Sequence, residues 1–132
     1  MTEIIQPEGW PAPIGYANGM AATGRIVAVA GQIGWDPRTG VIVSADFAEQ
    51  AAQALRNVVE VLQTAGARTD HVVRMTWYIT NRASYMAARR DIGVTYREIM
   101  GSHFPAMSVV VVHGLVEHDA DIEIEATAVI PV

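Results

Sequence analysis

The side chains that could do chemistry in this sequence are limited by two absent residue types. The chain of 132 residues contains no Cys, and all nine of its basic residues are Arg, so it contains no Lys either. This excludes thiolate nucleophiles, disulfides, Cys-ligated metals, Schiff-base lysines and a phosphate-loop lysine. Carboxylate, His, Arg and hydroxyl side chains remain, and water chemistry run by a carboxylate is the interpretation that this composition favours.

The most informative carboxylates are Glu123 and Glu125. They stand two residues apart in a run of β-branched and small residues, so a strand would place both on one face of its sheet. A buried charge on a strand is costly and usually serves a site. The alternative is an edge strand with a solvated face. The high apolar content of the chain favours the functional interpretation for at least one of the two.

Other motifs carry less chemistry. The four His residues lack metal-ligand spacing, and the turn that holds His113 and His118 reads as a polar connection between strands, so no metal site is expected. His103 is interpreted as the cap of a helix end. Gly31 and Gly34 lack the third glycine and the following helix of a dinucleotide fingerprint. No Ser lies in a nucleophile-elbow motif, which argues against serine hydrolysis.

The arginines and large apolar residues are first given structural interpretations. Arg89, Arg90 and Arg97 fall on a predicted helix and are interpreted as solvated or interface charges. Trp35 and Met107 are typical of core or interface positions. Any anionic ligand would nevertheless need one of the nine arginines.

Two helices are well marked. Asp46 and Glu49 have capping-box spacing, an apolar stripe runs from 51 to 62, and Gly66 is a natural stop. The second helix is predicted from Ala83 or Ser84 to Met100. The apolar residues predicted for its buried side recur at the spacing of one helix face.

Strand patterns surround these helices. Residues 7–13 hold three Pro and are predicted to form an extended arm. The strands are predicted at 18–22 and 25–30 around a turn at 23–24, then at 41–43, 73–79, 107–113 and 121–130. This order predicts one α+β domain spanning 1–132, a mixed sheet with both helices packed on one face. A neighbouring subunit is the obvious cover for the other face.

The overall composition also predicts association with other subunits. The chain is 51% hydrophobic and only 17% charged, which predicts exposed apolar patches and therefore a homo-oligomer. Its net charge of −5 argues against nucleic-acid binding through a basic field. The sequence shows neither a signal peptide nor an apolar run near ~20 residues, so a cytoplasmic protein without a membrane partner is expected.

Together these segments resemble the Rid family (reactive intermediate deaminases, also called RidA or YjgF proteins). The resemblance covers nearly the whole chain. It is carried by residues 13–16, 29–33, 36–40, 53–58, 65–67, 72–73, 104–106 and 122–126. It implies a chorismate-mutase-like fold and a homotrimer with ligand sites in the clefts between subunits. It also implies hydrolysis of enamines and imines to a carbonyl compound and ammonia, with neither an organic cofactor nor a metal.

The resemblance assigns roles to single residues. The glutamate that positions water matches Glu123, the tyrosine near the N-terminus matches Tyr16, and the backbone after the early strand matches Ala30 and Gly31. The arginine that holds the substrate carboxylate has no counterpart, because Met107 stands in its place. A bidentate arginine clamp supplies two charge-assisted hydrogen bonds of roughly 1.5–3 kcal/mol each, so this loss changes the expected substrate class.

Two functions remain open from the sequence. In the first, the protein hydrolyses a larger or more apolar imine, with Glu123 acting on water and with Met107 and Trp35 lining the pocket. In the second, it is a non-catalytic trimer that binds a small metabolite in the same cleft.

Overall fold

Eight strands and two α-helices make up the secondary structure of residues 2–132, the part of the chain that the computed structural model describes. The strands are β1 (Thr2–Ile5), β2 (Gly19–Ala22), β3 (Arg25–Ile33), β4 (Trp35–Asp36), β5 (Val41–Ile42), β6 (Val72–Ile79), β7 (Ala106–Val111) and β8 (Ile122–Ile130). The helices are α1 (Phe47–Thr64) and α2 (Arg82–Met100). A single 3-10 turn, Thr69–His71, precedes β6.

Four strands form the main sheet in the order β3-β8-β6-β7. Strand β8 is antiparallel to both β3 and β6, whereas β6 and β7 are parallel. A parallel pair needs a crossover connection, and α2 supplies it between β6 and β7. The predicted α+β class with a mixed sheet is confirmed.

Both helices cover the same face of this sheet, as the sequence predicts. The alternating residues of β6 and β8 meet the apolar stripes of α1 and α2 in one cluster. Its fully buried members include Leu55, Val58, Leu62, Met75, Ile79, Met100, Ile122 and Ile124. One detail differs. The alternation of apolar residues from Val73 to Ile79 predicts that Val73 is buried, but Val72 is the buried residue at the start of β6, because the pairing with β8 shifts register between Val72 and Arg74.

The helix ends follow from their caps. The Asp46 side chain accepts a hydrogen bond from the Glu49 backbone at 3.0 Å, and Gly66 ends the α1 region with a positive φ of 82°. Helix α2 begins at Arg82, slightly before the predicted start, because the Asn81 side chain accepts from the Ser84 backbone at 2.9 Å. Both predicted helices are therefore confirmed, with a one- or two-residue extension of the second.

The N-terminal region differs from the prediction. The strand predicted at 18–22 exists as β2, but its partner is β1, a strand that the sequence analysis missed. Strand β3 pairs with β8 instead. The short β1 precedes the proline-rich arm directly and carries little pattern of its own, so only its pairing with β2 identifies it as a strand.

His103 does not cap a helix, contrary to the prediction; Gly101 is the residue that ends α2. One ring nitrogen of His103 lies 2.7 Å from the Val72 carbonyl, and its own carbonyl accepts the Tyr96 hydroxyl at 2.7 Å. Burial raises the pKa of Tyr96, which keeps this donor protonated. His103 thus ties the segment before β7 to both α2 and β6.

The second face of the main sheet has no cover within the chain. Ile26 is 69% exposed and Val110 is 40% exposed, and both lie on this face. The chain as a whole exposes 7783 Å². A folded monomer of this mass exposes roughly 6,800 Å², so the excess is consistent with a face that another molecule covers.

Candidate functional site

Glu123 lies on β8 with its side chain on the uncovered face of the sheet. Its neighbours across the ladder are Ile33 on β3 and Tyr78 on β6. Gly31 sits in the irregular stretch of β3 between Val29 and Gln32, and a Cβ added there would collide with the Glu123 carboxylate. The glycine therefore lets the carboxylate lie directly against the β3 backbone.

Glu125 has a different environment from Glu123. The Tyr78 hydroxyl donates to the Glu125 carboxylate at 2.5 Å, and this hydrogen bond raises the pKa of Tyr78. Among residues 2–132, no side-chain hydrogen bond or ion pair engages the Glu123 carboxylate. Of the pair picked out by the sequence, Glu123 is the one left available for water or a ligand.

Glu123, Gly31 and Trp35 line one cavity of about 530 Å³, here called the glutamate half-site. Its other lining residues come from the end of β3, from β5 and the glycine before it, and from the loop before β8. They are Gln32, Ile33, Gly40, Val41, Ile42, Val116 and Glu117. Hydrogen bonds from α1 hold the segments that form these walls.

Two buried polar residues of α1 hold these walls, and the sequence analysis missed both. Gln50 donates to the Ser44 carbonyl at 3.0 Å and accepts from the Asp121 backbone at 2.9 Å. Asn57 donates to the Trp35 carbonyl at 2.8 Å and to the Ile33 carbonyl at 3.2 Å. The available signal was a polar residue within the apolar stripe of α1, which implies a buried hydrogen-bond partner.

Tyr16 and Met107 lie in a second cavity, of about 880 Å³, here called the methionine half-site. Met107 pairs with Met75 in the β6–β7 ladder and packs against the core on the helix-covered face. Tyr16 is held nearby because Ala17, the next residue, bridges to Ala106. The Ala17 backbone also donates to the Pro105 carbonyl at 3.0 Å.

The two half-sites are separate within one chain. Gly31 and Met107 lie on β3 and β7, the two outer strands of the main sheet. Three interstrand spacings separate these strands, roughly 14 Å. Glu123 and Met107 also point to opposite faces, since one pairs with Tyr78 and the other with Met75. Ala30 is exposed on β3 and belongs to the lining of neither cavity.

Residues 2–132 contain no cluster of three or more His, Asp or Glu side chains that could bind a metal ion. Neither of the two α-helices found there has the length and apolar character needed to cross a membrane.

Comparison with known proteins finds relatives that match nearly the whole chain. A family model described as Endoribonuclease L-PSP matches residues 10–130. The RutC family protein PH0854 of Pyrococcus horikoshii is 35% identical over 128 residues, covering 97% of this chain and 98% of its own. The 2-iminobutanoate/2-iminopropanoate deaminase of Escherichia coli is 36% identical over 133 residues, with 98% coverage of both chains.

A solved structure agrees over the same length. The Rid-family protein YyfB of Yersinia pestis superposes with a TM-score of 0.86 at 32% sequence identity, and 98% of each chain is covered. The matched residues include those of the main sheet, of both helices and of both half-sites. The chain therefore belongs to the Rid (YjgF) family.

Proposed function

We propose that this protein is a Rid-type deaminase that hydrolyses the C=N bond of an imine, giving a carbonyl compound and ammonia. An enamine would enter the reaction as its imine tautomer. The observation that carries the proposal is the Glu123 carboxylate, held against Gly31 and unengaged by other side chains of residues 2–132. Relatives named 2-iminobutanoate/2-iminopropanoate deaminase in Escherichia coli and humans support this reaction class.

Glu123 has a simple role in this reaction. The carboxylate orients a water molecule and accepts one of its protons as the oxygen adds to the C=N carbon. The resulting carbinolamine carries both oxygen and nitrogen on that carbon. Return of the proton to nitrogen releases ammonia and leaves the carbonyl. The atoms balance as imine plus water giving carbonyl compound plus ammonia, so no cofactor is needed.

The complete site is proposed to lie between subunits of a homotrimer. The glutamate and methionine half-sites occupy opposite edges and opposite faces of one sheet, so a single chain does not bring Glu123 to Met107. The uncovered face with exposed Ile26 and Val110 supports association. The trimer and its intersubunit clefts follow from the family resemblance.

The proposed substrate is larger or more apolar than an imine of a small amino acid. Met107 occupies the position of the family's carboxylate-binding arginine, and a thioether does not replace a guanidinium. A methionine instead adapts to irregular apolar groups. In this arrangement Trp35 supplies an apolar wall to the glutamate half-site.

An imine-hydrolysis assay tests this function. Imines are generated from alanine, leucine and phenylalanine by an amino-acid oxidase in the presence of semicarbazide, which traps the unhydrolysed imine. We expect the protein to lower the rate of semicarbazone formation for the leucine and phenylalanine imines by about tenfold more than for the alanine imine. An unchanged rate for all three would overturn the deaminase proposal and leave the metabolite-binding function.

Mixed trimers test the location of the site. Glu123→Ala disables one half-site, and Gly93→Trp fills the other, because an added Cβ at Gly93 meets only Arg97 Nη1, at 3.9 Å. Each variant alone is expected to be inactive. Co-expression of the two variants should restore about a quarter of wild-type activity, since random assembly gives one interface in four with both half-sites intact.

Co-expression of Glu123→Ala with wild type provides the reference for random mixing. If the two inactive variants fail to complement while that reference pair retains the activity expected for mixed trimers, the complete site lies within one chain.

A further inference from the structure

The methionine half-site concentrates positive charge in an acidic protein. Arg89, Arg90 and Arg97 of α2 all line this cavity, and none of its lining residues is acidic. The whole chain carries a net charge of −5. The ion pairs found among residues 2–132 are Arg38–Glu60 and Arg68–Asp70, so the three cavity arginines have no carboxylate partner there. All three are exposed, which agrees with their interpretation as solvated charges, and they share one cavity.

Two of these arginines flank a gap on one stripe of α2. Arg89, Gly93 and Arg97 are spaced four residues apart, so they share a face and span about 12 Å along the helix. The Arg97 Nη1 lies 3.5 Å from the Gly93 carbonyl, which places its guanidinium over the glycine. Arg89 lies one helical turn from Tyr85, and its charge partly offsets burial, which raises the pKa of that tyrosine.

Glycine in the middle of an exposed helix costs about 1 kcal/mol relative to alanine. At Gly93 it leaves the helix surface open, because the one atom within 4 Å of an added Cβ is Arg97 Nη1, at 3.9 Å. A small planar anion such as a carboxylate would therefore meet the Arg97 guanidinium at this position.

A buried donor belongs to a residue that also lines this cavity. Trp77 lines the cavity and is only 3% exposed, yet its indole Nε1–H has no hydrogen-bond partner among residues 2–132. Leaving a buried donor unpaired costs about 1–3 kcal/mol, which a ligand acceptor would relieve. Phe104 and Tyr96, whose rings stack at 5.1 Å, add an aromatic wall beside Met107.

We propose that Arg89 and Arg97 replace the missing clamp, and that the cavity binds a carboxylate whose aromatic or large aliphatic body packs on Met107. The carboxylate occupies the gap at Gly93, and the Trp77 Nε1–H donates to a second acceptor of the ligand. Because this inference rests on the proposed function, it defines the substrate as the imine of a bulky apolar amino acid. In this arrangement the clamp lies on α2 rather than on β7.

Binding of product analogues tests the proposal without turnover. Isothermal titration calorimetry with phenylpyruvate, pyruvate and phenylacetone separates the carboxylate from the ring. We expect phenylpyruvate to bind about tenfold or more tightly than either probe that lacks one of the two groups. The R89Q/R97Q double variant should weaken phenylpyruvate binding by about tenfold or more and leave phenylacetone binding unchanged. Arg82→Gln, on α2 but outside the cavity, is the matched control and should bind as wild type.

The indole NMR signal of Trp77 gives an independent readout. Its Nε1–H resonance, assigned with Trp77→Phe, should shift on addition of phenylpyruvate and hold its position in R89Q/R97Q. Equal phenylpyruvate affinity in wild type and R89Q/R97Q, with both folded by circular dichroism, would overturn the proposed clamp. So would equal affinities for pyruvate and phenylpyruvate.

The same variants distinguish this inference from the proposed function. Arginine-dependent binding without imine hydrolysis would refute the deaminase and keep the clamp as a binding site. Imine hydrolysis that is equally fast in R89Q/R97Q would keep the deaminase and refute the clamp.

Discussion

Replacing Glu123 by glutamine is expected to lower kcat for imine hydrolysis by about 10²- to 10⁴-fold, the usual contribution of a positioned general base. The amide keeps the size of the side chain beside Gly31 but does not accept a proton from water. KM should change little, because substrate binding is assigned to the methionine half-site. Steady-state kinetics with an oxidase-generated phenylalanine imine measure both parameters.

Glu125→Gln is the matched control for this variant. It lies two residues along the same strand face, and its carboxylate is already engaged by Tyr78. This substitution should leave kcat within about twofold of wild type, since the amide oxygen still accepts from the Tyr78 hydroxyl and this hydrogen bond lies outside the reaction. If Glu123→Gln were as active as wild type while Glu125→Gln lost activity, the roles assigned to the two glutamates would be reversed.

The second large effect is expected from Met107→Arg. A guanidinium at this position restores the charge-assisted clamp that the family resemblance places there. We therefore expect kcat/KM for the alanine-derived imine to rise by about tenfold or more, the value of one charge-assisted hydrogen bond. Activity toward the phenylalanine imine should fall, because the arginine displaces its apolar contact. The ratio of the two kcat/KM values is the measured quantity.

Met107→Leu controls for the loss of the thioether and should keep the wild-type preference for the larger imine. The cavity already holds three guanidinium groups, so a fourth introduces repulsion. The Met107→Arg substitution in an Arg97→Gln background reduces that repulsion and serves as the second variant if the first is unstable. An unchanged preference in both folded variants would show that residue 107 does not select the substrate.

Much of the fold was predictable because its determinants are local. The Asp46 cap and the Gly66 stop lie next to the helix they bound, and the alternation of β8 lies within one strand. The register of β6 against β8 is non-local, and so the shift at Val72 escaped prediction. Strand β1 escaped for the same reason, because its identity depends on pairing with residues 14 to 20 positions later.

The candidate site was predictable only in its components. The spacing of Glu123 and Glu125 placed both on one face, but the choice between them depends on Tyr78, which comes from another strand. Gln50 and Asn57 looked like ordinary polar residues of a helix, although each fastens a loop distant in the chain. Arg89, Arg90 and Arg97 are exposed, as predicted, but no local pattern shows that a cavity adjoins them.

By itself the sequence determined the available chemistry. Without Cys or Lys, the chain can offer carboxylate, His, Arg and hydroxyl side chains. The local periodicity of its apolar residues also predicts the order of most strands and helices. The tertiary structure decided which of these groups meet. It set Glu123 against Gly31, put Met107 at the opposite edge of the sheet, and formed a cavity beside Arg89 and Arg97. The physical reason is that strand order and register are set by packing between distant segments, which no local spacing encodes.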